Sequence, residues 1–215
     1  MGQPAATAET TVTRPLSRKR RQTQERLLDA ALDAFAERGF HGASVEDVCE
    51  RAGFSRGAFY SNYSSKTELF IALYRRQTEK VLAVLDASAG PAGELDKRDL
   101  GTVVTQFLSA APHDRRWFLI NYEFALLAVR NESSRAAFAA ARNRAWTIFA
   151  AHLNDLLERM GLELTMPALE LTRWLFAVYE GGATQAFVEP DLVSPQAISE
   201  RVNPLILAAV TRPKA

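Results

Sequence analysis

Cysteine is almost absent from this chain: among 215 residues there is one, Cys49. A single thiol makes neither an intramolecular disulfide nor a cysteine-cluster metal site, which fits a reducing interior. Histidine is scarce too, and His41, His113 and His152 are too dispersed in sequence to suggest metal-ligand spacing. No apolar run approaches the roughly 20 residues that a bilayer needs. The segment Met1 to Thr13 is rich in Ala and Thr and lacks the apolar stretch of a secretory signal, so the expected location is the cytoplasm. An excess of one charge is also lacking, since 26 Lys+Arg stand against 25 Asp+Glu for a net +1. A protein that coats nucleic acid indiscriminately is far more basic, so any contact with DNA has to come from a local patch. Enzyme signatures such as H-E-x-x-H, a P-loop or G-x-G-x-x-G after a strand are missing, and nothing places Glu123 beside His152 as an acid/base pair. Neither an enzyme nor a bound cofactor or metal is expected.

What the chain does have is helical periodicity. With 47% hydrophobic residues it can bury a sizeable core. The opening residues are polar, carry Pro4 and Pro15, and read as a disordered basic leader over residues 1–20 that includes the run Arg18-Lys19-Arg20-Arg21. Residues 1–80 hold 13 Lys+Arg and 10 Asp+Glu, whereas the other 135 hold 13 and 15, so the cations lie with the motifs. Leu27, Ala31 and Phe35 repeat at helical spacing beside Leu28 and Leu32, and Gly39 stops that helix. Ser44 with Asp47 resembles a capping box for a short helix whose inner face is Val45, Val48 and Ala52. Gly53 ends it in a position suited to positive φ, and Ser55 caps a second short helix through Tyr60. Ser65-Lys66-Thr67-Glu68 is an S-x-x-E box opening a long helix through Leu69, Phe70, Leu73 and Val81. The clearest break is Gly90-Pro91-Ala92-Gly93, and helices follow at about 98–110, 114–130, 134–160, 167–188 and 195–211, with Pro204 expected to kink or split the last. Strand signals are weak throughout. The expectation is an all-α chain of about nine helices.

The stretch Ser44 to Tyr63 carries the most information. Two helices too short to be stable alone are joined by a tight Ala52-Gly53-Phe54 turn, and each must be held by the flanking helices. That is a helix-turn-helix, whose second helix enters a major groove roughly 12 Å wide. The start of the second helix is small or cationic (Ser55, Arg56, Gly57, Ala58), which permits close approach, while Phe54 and Phe59 turn inward as anchors. Tyr60, Ser61 and Asn62 present hydroxyls and an amide on the outer side; Arg56 suits guanine and Tyr60 suits a phosphate. The helix starts after Ser44 and Ser65 can each receive a phosphate oxygen, with Lys66 adding a full charge at the second. The basic run Arg18–Arg21 can follow the backbone or enter the adjacent minor groove.

The residues Gly39-Phe40, Ala43-Ser44-Val45, Asp47-Val48, Ala52-Gly53-Phe54-Ser55-Arg56-Gly57-Ala58-Phe59-Tyr60, Asn62-Tyr63, Ser65-Lys66 and Glu68-Leu69 together resemble the N-terminal domain of the TetR/AcrR family of transcriptional regulators. The resemblance covers about residues 21–81. It implies a homodimer of all-helical subunits, usually a repressor, that leaves a palindromic DNA operator when a small ligand enters the C-terminal domain. Carried over by position, Ser44, Ser55, Tyr60 and Lys66 are the implied phosphate contacts, and Arg56, Gly57, Ala58 and Ser61 the implied base-facing residues, with Asn62 beside them. Asn62 stands where many members have His and Ala58 where many have Thr, so no operator preference transfers. Tyr63 replaces the usual Phe and reads mainly as core.

The resemblance divides the chain into the leader 1–20, a DNA-binding domain 21–81, and a ligand-binding and dimerisation domain 82–215 reached by the long helix. Most aromatic residues lie in the last part, Phe107 among them, and suit an apolar pocket with a few polar handles. Trp117, Asn121, Tyr122, Phe149, Trp174 and Tyr179 are the candidate ligand contacts, with Glu123 and Arg130 as further handles; the ligand implied is small and apolar or amphipathic. Leu171, Trp174, Leu175, Val178 and Ala186 form a stripe that, with the last helix, is a candidate dimer surface, and Gly181-Gly182 permits close approach of another helix. The competing reading is a dimeric DNA-binding protein that takes no ligand.

Overall fold

Ser17 starts the first helix: its Oγ accepts from Arg20 N at 3.3 Å in a computed structural model that describes residues 17–88, 100, 104 and 114–214. Helix α1 runs Arg18–Gly42, broken at Gly39, whose φ of 75° ends the regular turns before a short continuation. Then come α2 (Val45–Ala52), α3 (Arg56–Tyr60) and the long α4 (Lys66–Ser88), followed by α5 (Arg115–Arg130), α6 (Glu132–Arg159), α7 (Ala168–Val188) and α8 (Ala197–Val210). The chain is all-α in class, with eight helices among the described residues. The basic run Arg18–Arg21 is the first turn of α1 and not part of a leader; residues 1–16 of the expected leader lie outside the described residues. The Gly90–Gly93 loop, Phe107, Pro112 and His113 lie outside them too, as does the helix expected over 98–110 apart from Leu100 and Val104, both helical and buried.

Two short strands were not anticipated. β1 (Leu162–Leu164) pairs antiparallel with β2 (Thr211–Pro213), Glu163 opposite Arg212, and an ion pair of 2.6 Å joins those two side chains. At three residues each, these strands are too short to leave a period in the sequence. Pro204 neither splits nor ends α8, which continues to Val210.

The core fixes how the elements sit. The inner face of α1 (Leu27, Ala31, Leu32, Phe35) packs on Val48 of α2, Phe59 of α3 and Leu69, Phe70 and Leu73 of α4. That core does not stop where the sequence suggests a domain boundary near residue 81. It runs on into Ile120 and Phe124 of α5 and Phe138 of α6. Phe70 stacks on Phe124 with centroids 3.8 Å apart, and Phe124 meets Phe40 edge-on at 4.9 Å. A second cluster gathers Leu153, Leu157, Leu171, Leu175 and Leu207 between α6, α7 and α8. Leu171, Leu175 and Ala186, expected on a dimer surface, are therefore buried inside their own subunit. Gly182 faces the subunit interior too: a Cβ there would stand 3.4 Å from Ile198 Cβ of α8, whereas one on Gly181 would meet open space. The outer stripe of α7 and α8 consists instead of Trp174, Val188 and Leu205, which are exposed.

Candidate nucleic-acid interface

The two short helices are built by local capping. Ser44 Oγ accepts from Asp47 N at 3.0 Å while Asp47 Oδ2 accepts from Ser44 N at 2.8 Å, a reciprocal box that starts α2. Those bonds from Ser44 hold the Asp47 carboxyl below its ordinary pKa, helped by Arg38. Gly53 adopts φ 68°, ψ 38°, and its N–H returns to Cys49 O and Glu50 O. Ser55 Oγ then accepts from Ala58 N at 3.2 Å and opens α3. The long helix starts differently from expectation. Ser65 Oγ accepts from Glu68 N at 3.1 Å, but the Glu68 carboxylate goes to Ser64 N, at 2.7 Å, and not to the backbone of Ser65.

The run Gly53-Phe54-Ser55-Arg56-Gly57 also has the spelling of a hydrolase nucleophile elbow. Here it joins two helices, not a strand and a helix, and its serine is a cap.

Phe59 is wholly buried and Tyr63 nearly so, which leaves Ser55, Arg56, Gly57, Tyr60 and Ser61 on the outside of α3, with Ala58 half-buried. Phe54 is half-buried, and the Arg26 guanidinium lies 4.6 Å over its ring. Arg26 Nη2 also donates to Ala52 O at 2.7 Å, so one side chain from α1 pins the turn. The outward arginine, Arg56, pairs with Glu46 at 2.5 Å, both side chains more than half exposed. Pairs of that kind are worth about 0–1 kcal/mol, so a better partner can draw Arg56 away.

The end of α3 is tied to its own backbone. Ser61 Oγ donates to Gly57 O and Asn62 Nδ2 donates to Ala58 O, each at 2.8 Å. Arg20 of α1 closes the arrangement, its Nε donating to Asn62 Oδ1 and its Nη2 to Ser61 O, both at 3.3 Å. Asn62, expected to face DNA, is thus occupied at both ends of its amide. The first turn of α1 that Arg20 ties to the end of α3 also carries the exposed Arg18, Lys19 and Arg21.

Lys66 departs furthest from its implied phosphate role. Its Nζ donates to Phe40 O at 2.9 Å, Ala43 O at 2.6 Å and His41 O at 3.4 Å, so all three ammonium hydrogens have carbonyl partners. Burial pushes its pKa down, opposed by the carboxylates of Glu123 and Asp47. In this position Lys66 closes the end of α1 and is not a free cation. Cys49 is buried and its thiol pushed up in pKa by that burial, which suits packing and not thiolate chemistry.

The candidate ligand residues converge only in part: Tyr179 packs on the cluster that holds Phe149, whereas Trp117 and Trp174 lie elsewhere. Trp117 lies parallel to Phe70 with centroids 6.1 Å apart and near Tyr74, in the core shared with α1 and α4. Phe149 is buried with Val81 and Ala145, and Tyr179 is half-buried with its hydroxyl pushed to about 12 by burial. Asn121 keeps a buried Oδ1 with no hydrogen-bond partner, and Arg130 is exposed at the end of α5. Trp174 is 44% exposed on the outer stripe, which removes it from any interior pocket. Tyr122 donates to Glu180 O and accepts from Thr184 Oγ1, both at 2.8 Å. Glu180 in turn holds Arg142 of α6 at 2.9 Å, and that guanidinium lies 4.6 Å over Trp146. Arg142 and Glu180 were not singled out from sequence; 38 residues separate them and no local pattern links them.

Comparison with known proteins agrees with this geometry. The profile of bacterial regulatory proteins of the tetR family matches residues 27–73, from the middle of α1 to the first turns of α4. The HTH-type transcriptional activator FasR of Mycolicibacterium smegmatis is 27% identical over 104 residues, 48% of this chain and 47% of that protein. The HTH-type transcriptional regulator UidR of Escherichia coli K12 is 38% identical over 61 residues, 28% of this chain and 31% of UidR. The chain thus matches less than half the length of either. Over most of the chain the likeness is structural. A transcriptional regulator from Rhodococcus sp. Rha1 superposes with a TM-score of 0.65 at 27% identity, covering 87% of this chain and 97% of that one. A TetR transcription regulator from Haloarcula marismortui shares the fold with a TM-score of 0.67 at 17% identity, covering 89% and 100%.

Proposed function

Because the chain belongs to the TetR family of bacterial regulatory proteins, we propose that it is a cytoplasmic, sequence-specific DNA-binding regulator of transcription. It binds a palindromic operator as a homodimer, acts as a repressor, and leaves DNA when a small apolar or amphipathic ligand binds. One observation carries the reading: α3 rests on buried Phe59, turns Arg56, Gly57, Tyr60 and Ser61 outward, and is flanked by the cationic first turn of α1 through Arg20. In this reading Arg56, Gly57, Ala58 and Ser61 approach base edges, while Ser44, Ser55, Tyr60 and the basic turn meet phosphates. Asn62 holds the end of α3, and Lys66 holds the end of α1.

Pairing of two subunits through the outer stripe of α7 and α8 covers Trp174, Val188 and Leu205. It has to set the two α3 helices about 34–36 Å apart, one turn of the duplex. The ligand's place is in the helical body near Tyr122, Phe149 and Tyr179, where Arg142 and Glu180 supply polar partners.

Selection of duplexes from a randomised pool by the purified chain, followed by footprinting, tests the reading. Recovery of an inverted repeat with two protected half-sites one helical turn apart is the expected result. Recovery of no sequence preference at low ionic strength would overturn it.

A further inference from the structure

Between Gly39 and Ala43 the chain leaves α1 and enters the reading helices, and this turn is gripped from two sides. Lys66 takes its carbonyls, as described above. The N–H groups go to a side chain 83 residues away: Glu123 Oε2 of α5 accepts from Phe40 N at 2.8 Å, and Oε1 lies 3.5 Å from His41 N. Gly39 makes room for that carboxylate. It sits at φ 75°, and a Cβ there would stand 2.9 Å from Glu123 Oε1. The preceding residue on α5, Tyr122, is strapped to Glu180 and Thr184 of α7. Adjacent positions of one helix therefore grip α7 on one side and the launch of α2 on the other.

We propose that Glu123 is a positioning residue for DNA reading, whose carboxylate sets the attitude at which α2 and α3 leave α1 and through which movement of α7 reaches them. The proposal rests on the reading of α3 as the DNA-reading helix. Its geometry is unforgiving. A slide of α5 by one residue's rise, about 1.5 Å, takes the 2.8 Å bond to about 3.2 Å if it runs across the bond and about 4.3 Å if it runs along it, so the bond is weakened or broken. The turn must then follow α5 or lose its grip. Either outcome changes the presentation of Arg56 and its neighbours with no ligand or DNA touching Glu123.

The test compares the full chain with Glu123→Ala and Glu123→Gln on a duplex enriched by the unaltered protein and on a scrambled duplex of the same composition. Glu123→Ala should bind the enriched duplex about tenfold more weakly, a coupling of ordinary size, while its affinity for the scrambled duplex is unchanged. Glu123→Gln keeps one carbonyl oxygen for Phe40 N–H and should fall between the two. Equal affinity of the unaltered protein and Glu123→Ala for the enriched duplex overturns the proposal, and so does an equal loss on both duplexes. If Glu123→Ala does not fold, the unaltered protein decides by hydrogen exchange. The Phe40 and His41 amides should exchange more slowly once the enriched duplex is bound, and unchanged exchange overturns the proposal. Failure of the unaltered protein to enrich any duplex is a separate result, and it removes the DNA reading and this proposal together.

Discussion

Replacing Lys66 by Met separates two roles that a lysine at this position can have. As placed, the ammonium makes two short bonds to carbonyls, 2.9 Å to Phe40 O and 2.6 Å to Ala43 O, with the 3.4 Å contact to His41 O adding little. Hydrogen bonds from a charged donor are worth about 1.5–3 kcal/mol each, and a cation at the end of a helix gains about 0.3–1 kcal/mol more. Burial works against this, as the lowered pKa of the group records. Methionine fills the stem's space, and water reaches part of the vacated site because Lys66 is only half-buried. A net loss of about 2 kcal/mol is expected. For a chain of this size that lowers Tm by about 4–8 °C, measured at fixed protein concentration because any self-association shifts Tm by mass action. The second measurement is the salt dependence of DNA binding. A lysine spent on carbonyls releases no counterion, so the slope of log K against log[salt] should match that of the unaltered protein. A lysine that meets a phosphate takes about 0.9 from the slope when removed. An unchanged Tm together with a shallower slope would refute the assignment made from the geometry.

Arg56→Ala should cost about 1–3 kcal/mol at one base pair of the selected operator and relax preference there; an equal loss on all duplexes would assign Arg56 to the phosphates instead. Glu46→Ala, which frees Arg56 from its exposed partner and removes a carboxylate from the interface, should tighten operator binding in the same titration. Trp174→Glu and Leu205→Glu should leave the helical content intact, since both side chains are exposed in the subunit, and should yield monomers in sedimentation. For Asp47 the sign follows from its lowered pKa. The carboxylate contributes stability above its unfolded pKa and loses it as pH falls through the folded one, so acid unfolding of Asp47→Asn should be less steep below the ordinary carboxylate range.

The parts of the fold that sequence reveals are those made by neighbours in the chain. The Ser44–Asp47 box, the Ser55 cap, the left-handed turn at Gly53 and the inward Phe59 all depend on residues within one or two turns of each other, so spacing alone locates them. The residues that set the site's geometry depend on contacts across the fold. Arg20 reaches Asn62 over 42 residues, Lys66 reaches Phe40 over 26, and Glu123 reaches Phe40 over 83. Nothing near any of these positions marks its partner. Helix α7 shows a different obstacle. It is apolar on two faces, and periodicity reports the stripe Leu171, Trp174, Leu175 without saying which side its own subunit covers. Only the packing of α6 and α8 assigns Leu171 and Leu175 inward and leaves Trp174 outward.

The continuous core constrains how any ligand can act on DNA reading. A head swinging freely about a joint near residue 81 would have to slide Phe70 off Phe124, 3.8 Å away, and Phe40 off Phe124 at 4.9 Å. Interiors packed at crystal-like density do not deform continuously; they exchange one arrangement for another. Each aromatic pair is worth about 0.5–1.5 kcal/mol beyond its buried area, and a ligand's coupling energy is typically about 1–3 kcal/mol. A ligand with that differential affinity can repack one or two such contacts and no more. Helix α5 carries Phe124 beside Glu123 and Tyr122, so the ring that must repack and the carboxylate that holds the turn move on the same backbone. Displacement of α5 shifts Phe124 against both Phe70 and Phe40, and a swing of α4 alone shifts Phe70 against Phe124, so either route from the helical body to the reading helices has to repack this aromatic cluster.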